Sequence, residues 1–466
     1  MKTMKIRVKD RQFVSYAKKK LYSTKHFENM LLILIHQDDK QNDKKMFYHL
    51  TNSSVMRAII TGNKGGKDAE KVELVRNHYR NNELMKQLIE TGKTLKIHNL
   101  VETIKEVKKN YKSYFTKLKN GDTTAKPPKP KKLNKLNHFT LHTDSYKSHT
   151  FKKKNKIGIN LSDKMRYTHV KHSALKKVVG RLENIKNINI HLSNGHVYLL
   201  IAYENAAPKV EENLAYKAAA LDMGVNILVA LFVEDEKTPS LLIDGTPFKT
   251  YNANFNRLMA KVNETISTSK SVNRVSFLQK YRSFLYEKRN NYFFSEFHQM
   301  STRMLEFCQK QGVTHLIISR NLAELKNNGE IKLRKKAKQP FVQIPFIQLL
   351  KSLMDKAPKY NIHISEVDEA YTSKTSSISA DIHEIQSLAQ ENTPLTTNDY
   401  KGSRVERGLF KDQVLKKIVH ADVNASRNIC FLGSWNEKDI SIPFPKLCNP
   451  IVIKSDRKFV QLIANS

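Results

Sequence analysis

The sequence predicts two folded parts of different class, an N-terminal β domain holding a helical insertion and a C-terminal mixed α/β domain. Three observations carry that expectation. Between about residues 66 and 118 apolar residues recur three and four apart with lysines between them, the period of an amphipathic helix. Short strand-like segments then run to residue 204, set off by turn residues as strands of a β domain are. From about residue 217 apolar strands alternate with helical patterns, the mark of an α/β layer architecture.

The elements follow in order. Residues 1–60 mix short apolar runs with basic residues and yield no ordered pattern. "DAEKVELVRNHYRNNELMKQLIETG" and "NLVETIKEVKKNYKSYFTKLKNG" read as helices, the second stopped by Gly121 and "AKPPKPKK" (125–132). Proline cannot continue a helix and pushes the residue before it towards extended geometry. "HFTLHT" and "KIGINL" read as strands, and "INIHLSNGHVYLLIAYE" (188–204) as a hairpin, since Asn-Gly between alternating apolar residues is the strongest short hairpin signal. "AAALDMGVNILVALFV" (218–233) reads as one long apolar strand interrupted by Asp222, and "SLLIDGTPFKTY" (240–251) as a strand and turn. A helical stretch at 276–312, ended by Gly312, precedes the strand "THLIISRN" (314–321), the helix "IPFIQLLKSLMDKA" (344–357) and the strand "NIHISEV" (361–367).

Composition limits the function. At 466 residues the chain can hold two or three domains with cores. Lys plus Arg exceed Asp plus Glu by 81 to 44, a net charge of +37, of which +28 lies in residues 1–200 and +9 in the remainder. Such an excess repels itself unless a polyanion neutralises it, so nucleic acid is the expected partner, bound mainly by the first half. A membrane is not expected: "NMLLILIH" (29–36) is too short to span a bilayer, and the N-terminus lacks the apolar core and cleavage site of a secretory signal. Three widely spaced cysteines, Cys308, Cys430 and Cys448, suit a reducing compartment. The expectation is a cytoplasmic, nucleoid-associated protein.

Two acids stand out. A carboxylate inside a buried strand is costly unless it is paired or coordinates a metal. Asp222 therefore reads either as a metal ligand or as a hydrogen-bonded acid at a strand-end turn beside Gly224. Asp422 opens "HADVNASRNI" (420–429) and reads as a helix N-cap or as a second ligand. Phosphodiester cleavage by two Mg²⁺ ions about 4 Å apart needs several convergent carboxylates, because hard Mg²⁺ prefers oxygen donors.

"LDMGVNILVALFV", "LLIDGTPFKTYNANFNRLMAKV", "FVQIPFIQLLKSLMDKA", "EVDEAYTSKTS", "KGSRVERGLF" and "HADVNASRNI", in this order, resemble TnpB proteins, the transposon-encoded RNA-guided DNA nucleases related to type V CRISPR effectors. The resemblance spans residues 217–432, and "YKSYFTKLKNGDTTAKPPKPKK" (111–132) is similar to the lysine- and proline-rich segment of that family. It implies an α/β fold, a ribonuclease H-like RuvC nuclease domain at 216–435 with a C-terminal tail at 436–466. Residues 1–215 would be a β-barrel-like wedge domain holding guide RNA, with a helical recognition insertion at about 60–120. Asp222 matches the first RuvC acid and Asp422 the third. Two departures follow. Many relatives carry a Glu-Asp pair at the end of the fourth strand, where this chain has Ser319, Arg320 and Asn321. Relatives also often carry a zinc ribbon after the "YTS" element, where "YTSKTSSISADIHEI" has no cysteine, so no zinc is expected. For the missing acid, Glu369 is the first choice, because TnpB relatives also carry a glutamate two residues before that tyrosine; Glu366 and Glu324 follow.

The resemblance implies Mg²⁺ (or Mn²⁺) as cofactor, with guide RNA and target double-stranded DNA as partners. Arg404 and Arg407 match family positions and are candidates for DNA phosphate contact, with surface ion pairing as the alternative. The basic runs at 126–132, 151–156 and 332–338 read equally as solvated faces or nucleic-acid contacts, with Lys126, Lys129, Lys131 and Lys132 as the named candidates. Aromatics beside lysine in "KKNYKSYFTKLK" (108–119) suit base stacking but read better as core. The expected function is an RNA-guided, metal-dependent DNA endonuclease acting beside a short flanking motif. The alternative is a nuclease-dead RNA-guided DNA-binding repressor, favoured by the missing fourth-strand acid and opposed by the two retained aspartates.

Overall fold

The computed structural model describes residues 2–40, 44–131, 138–147, 156–161, 168–171, 175, 185–193, 196–204, 215–319, 343–391, 393–406, 408–434, 444–454 and 456–465. The chain divides into two compact units, Met1–Ala206 and Ala207–Ser466.

The first unit begins with β1 (Lys2–Arg7) and a 30-residue helix, α1 (Arg11–Lys40). That helix accounts for the N-terminal residues that show no pattern in the sequence. Phe13, Ala17 and Leu21 enter a core beneath the sheet, whereas Phe27, Met30, Leu31, Leu34 and Ile35 enter a separate helical core. Lys20 and Lys25 are also buried, so basic letters fall within the inward-facing stripe and break its apparent period. α2 (Lys44–Leu50), α3 (Ser53–Thr61), α4 (Ala69–His78), α5 (Glu83–Lys93) and α6 (Ile97–Lys119) follow. Asn52 and Asn82 cap α3 and α5 by accepting the N–H of Ser54 and of Met85, each at 3.0 Å. Helix therefore begins well before the expected start near residue 60. Tyr111 of α6 is 4 % exposed and packs on Phe47 at 5.0 Å, so it belongs to the core, although Phe115 remains exposed.

Strands β2 (His138–Leu141), β3 (Tyr146–Lys147), β4 (Lys156–Ile159), β5 (Thr168–Lys171), β6 (Ile185–Ser193) and β7 (His196–Tyr203) complete the unit. β6 and β7 form the expected antiparallel hairpin, Ser193 opposite His196; its Asn194-Gly195 turn lies outside the described residues. The sheets are β1-β7-β6-β2 and β3-β4-β5. Among the described residues no strand pairing closes them into a barrel.

The second unit is built on a six-stranded sheet. "AAALDMGVNILVALFV" is two strands, not one: β8 (Ala218–Asp222) turns at 223–226 into β9 (Ile227–Val233), antiparallel with Asp222 opposite Ala230. Asp222 thus ends a strand instead of interrupting one. Glycine is needed beside it, because a Cβ on Gly224 would lie 2.9 Å from the Ile227 carbonyl oxygen, and one on Gly245 would lie 2.3 Å from that of Val225. β10 (Leu241–Asp244), α7 (Thr246–Thr268), the 39-residue α8 (Val272–Lys310), β11 (His315–Ser319), α9 (Phe346–Lys356) and β12 (His363–Val367) follow. After α10 (Ile382–Gln390) come a small sheet of β13 (Gly402–Glu406), β14 (Leu409–Asp412) and β15 (Ile418–His420), then α11 (Ala421–Gly433). The described part of the tail forms α12 (Phe444–Cys448), β16 (Ile451–Ile453) and α13 (Asp456–Asn465), and β16 adds an edge strand parallel to β10.

The strand order is β12-β11-β8-β9-β10-β16. β8, β11 and β12 are parallel, while β9 runs antiparallel to β8 and to β10. Both sheet faces are covered. Ala219, Leu221, Leu316 and Ile318 face a core shared with α8 and α9, and Ala218, Ala220, Ala230 and Ile317 face α11. Small alanines let α11 lie close: a Cβ on Gly433 would come within 2.7 Å of Ile317 Cγ2.

Candidate active site

Three parallel strands end at the same edge of this sheet. Leu221 pairs with Ile318, and Ser319 pairs with Val367. Asp222 therefore follows at the end of β8, Ser319 at the end of β11, and Glu369 two residues beyond β12. Open α/β sheets gather ligands at their strands' carboxyl ends. α11 starts at the same place. Its N-cap is His420, not Asp422: the His420 Nδ1 accepts the Asp422 N–H at 3.3 Å. Asp422 lies in the first turn, where the helix dipole favours a negative charge.

The three acids share one electrostatic neighbourhood. Burial pushes the Asp222 carboxyl up to about 8, the charges of Glu369 and Asp422 add to the rise, and Arg404 opposes it. Burial also raises Glu369, helped by the charge of Asp368, while the Ser319 hydroxyl opposes the shift. Ser319 is 1 % exposed and its Oγ lacks a partner in full hydrogen-bond geometry. The three carboxylates do not close to within 4.8 Å of one another. Arg404 Nη2 stands 3.8 Å from Asp422 Oδ1. Burial lowers His420, with the charge of Asp422 opposing the shift and that of Arg404 adding to it.

The loop that carries Glu369 is held by α11. Asn428 Nδ2 donates to the carbonyls of Thr372 and Thr375 at 2.9 and 2.8 Å, Asn424 Nδ2 donates to Thr375 at 2.9 Å, and Asn424 Oδ1 accepts the Ser377 N–H at 2.9 Å. Both asparagines are completely buried. The Thr372 N–H and hydroxyl in turn donate to the Glu369 carbonyl at 3.2 and 2.9 Å. Tyr371 sits at φ 68°, a left-handed conformation that is costly for a bulky residue, with its ring stacked 6.3 Å from Tyr400. The sequence reading missed Ser319, His420, Asn424 and Asn428 as parts of this site. The available signal was two asparagines four residues apart on one face of a helix that starts beside an acid.

Of the other expected residues, those described lie apart from these three acids. Glu366 is exposed on β12. Lys126, Lys129 and Lys131 are exposed on a segment of the first unit whose backbone is fixed to α1: Asn29 exchanges two hydrogen bonds with Lys131 at 2.7 and 2.9 Å, and His36 bonds the Pro128 carbonyl at 2.9 Å. Glu324, Lys132, Arg407 and the run at 332–338 lie outside the described residues, as does most of 151–156. Cys308 and Cys430 are buried free thiols. In the first unit, His98, His142 and Asp144 bring their ligand atoms within 4.8 Å, with His142 Nδ1 accepting the Asp144 N–H at 3.3 Å. Among the described residues no helix is long and apolar enough to cross a membrane.

Known proteins overlap this architecture. Residues 200–324 match the family described as a probable transposase, OrfB of IS605 type, and residues 346–429 match the Cas12f1-like TNB domain. The first match covers β8 to β11 and the second β12, Glu369 and Asp422. No curated protein matches the chain. Among solved structures, a Cas12f1-sgRNA-target DNA complex is similar at 15 % identity, with 92 % of this chain and 98 % of that one covered and a TM-score of 0.31. A CRISPR-Cas12f ternary complex has 12 % identity, coverage of 92 % and 99 %, and a TM-score of 0.33. An AacC2c1-sgRNA binary complex has 10 % identity, coverage of 90 % and 70 %, and a TM-score of 0.30.

Proposed function

The chain is a member of the TnpB-like family, and on that premise we propose that it is an RNA-guided, divalent-metal-dependent DNA endonuclease. The observation that carries the proposal is the convergence of Asp222, Glu369 and Asp422 at one sheet edge, with the charges of Glu369 and Asp422 raising Asp222. Three hard oxygen donors whose mutual repulsion a bound cation would relieve fit Mg²⁺ or Mn²⁺. Ser319 does not offer the charge that relatives place at the end of the fourth strand, and Glu369 supplies it from the next strand. Bound divalent ions would contribute Lewis acidity towards the scissile phosphate.

The chain's own groups have separate tasks. Asp222, Glu369 and Asp422 hold the ions, and Arg404, half-exposed beside Asp422, meets a phosphate of the strand being cut. Asn424 and Asn428 position Glu369. The sheet, with its first strand beside the fourth and the fourth beside the fifth, is read as a ribonuclease H-like RuvC domain, and the first unit as a wedge domain with its helical insertion. The +28 excess in residues 1–200 and the exposed Lys126, Lys129 and Lys131 support guide-RNA binding there, with Lys132 extending the run. Base pairing then reads the target, and the protein reads a short flanking motif.

A second reading, a nuclease-dead RNA-guided repressor, is favoured by Ser319 at the fourth strand's end. Sequencing of the RNA that co-purifies with the protein, followed by plasmid cleavage with that RNA and Mg²⁺, separates the two. Asp222→Ala, Asp422→Ala and Glu369→Gln should each abolish cutting and leave guided DNA binding nearly intact. Normal cutting by Glu369→Gln moves its role to Glu366 or Glu324, and no cutting by the parent favours the repressor.

A further inference from the structure

The N-terminal half of α8 carries a surface that the cleavage site does not use. Arg274, Phe277, Tyr281, Phe284 and Lys288 follow one another at spacings of three, four, three and four, which places them on one helix face. Phe277 is 66 % exposed and Phe284 52 %. The rings form a ladder: Phe277 and Tyr281 are 6.5 Å apart with planes 1° from parallel, and Tyr281 and Phe284 are 6.2 Å apart at 25°. Tyr281 is anchored, because it packs on a small cluster of Met259, Val262 and Leu285 between α7 and α8. Its two neighbours flank it in water. Single exposed aromatics are ordinary on a protein surface, but a contiguous stripe of them marks an interaction site. Arg274 and Lys288 stand at the two ends of the stripe, and both are exposed.

We propose that this face binds single-stranded DNA, with bases stacked on Phe277, Tyr281 and Phe284 and phosphates met by Arg274 and Lys288. Flat apolar rings bracketed by cations fit a strand whose bases are unpaired and whose backbone is anionic. A second copy of the chain fits poorly. Two such helices packed antiparallel face to face would set Arg274 against Lys288, and packed parallel would set each cation against itself, so either pairing is repulsive. The choice of DNA rests on the function proposed above: guided opening of a duplex pairs one DNA strand with the guide and leaves the other single, with its bases free.

The test is equilibrium binding of oligothymidylate to the full chain in EDTA, where cleavage is not read, so a chain inactive as a nuclease still tests this face. A 2-aminopurine base in the oligonucleotide reports stacking by quenching. Phe277→Ala and Phe284→Ala should each weaken single-strand binding about 5- to 150-fold, the range for loss of one base–ring stack, and reduce the quenching. Phe277→Leu keeps the apolar bulk without the ring face and should lose quenching as well. Duplex affinity and the unfolding midpoint should not change. The proposal is overturned if the double alanine variant keeps parental affinity, if duplex and single-strand affinity fall together, if oligouridylate binds more tightly than oligothymidylate, or if the variants instead change the sedimentation of a self-associating chain.

Discussion

Replacing Asp222 by Asn should stabilise the metal-free protein. Its carboxyl is pushed up to about 8 from its ordinary value of 3.8 by burial and by the charges of Glu369 and Asp422. An acid raised in the folded state makes stability fall with rising pH wherever the unfolded chain ionises and the folded one does not. That loss grows from near pH 4 to near pH 8 and persists in full above it. About four pH units at about 1.4 kcal/mol each set a ceiling of about 6 kcal/mol. Asp222 is only partly shielded from solvent, and a cluster of three acids relaxes as it charges, so about 1–2 kcal/mol is the expected gain. For a unit of this size that is a rise in melting temperature of about 2–8 °C. The assay is urea or thermal unfolding of parent and Asp222→Asn in EDTA, in steps of about half a unit between pH 5 and pH 8, the stability gap widening as pH rises. Excess Mg²⁺ should then stabilise the parent by RT ln(1 + [Mg²⁺]/Kd) and leave the variant behind, reversing the order. A gap that is flat with pH, or a parent indifferent to Mg²⁺, would refute the reasoning that these carboxylates repel one another around a cation site.

Three further outcomes test the surroundings of the site. Asn428→Ala strips two hydrogen bonds from buried carbonyls and should cost about 2–4 kcal/mol; guided cleavage should slow more than guided binding, as read by single-turnover cutting beside a filter-binding measurement. Gly433→Ala drives a Cβ to 2.7 Å from Ile317 Cγ2 and should destabilise by about 1–3 kcal/mol, measured as a lower urea midpoint. Burial alone would raise Asp235, but hydrogen bonds from Lys217 and Thr238 more than offset it and hold the carboxyl well below its usual range. Its stabilisation is therefore present above about pH 4 and lost as pH falls further, so Asp235→Asn should destabilise by about 1–2 kcal/mol at neutral pH and converge with the parent in acid unfolding.

Local chemistry made much of this chain legible in its sequence. Asn-Gly between alternating apolar residues announces the β6–β7 hairpin because backbone twist and turn geometry are set within a few residues. Helices α4 to α6 show their period because each has one wet face. The charge excess in residues 1–200 needs no structure to call for a polyanion. Asp222 and Asp422 were visible for the same reason, each being an acid where burial or a helix start makes acids conspicuous. Other features depend on contacts between distant residues. α1 was hidden because it serves two cores and buries Lys20 and Lys25 within its inward face. "AAALDMGVNILVALFV" does not reveal that it folds back at Gly224, since a strand buried on both faces has no alternation to lose. Only the register Leu221–Ile318 and Ser319–Val367 brings Glu369 to Asp222, and only α11 lying on small alanines lets Asn424 and Asn428 hold the loop that carries it. Hydrogen bonding between parallel strands far apart in sequence decides such neighbours, and no local spacing encodes them.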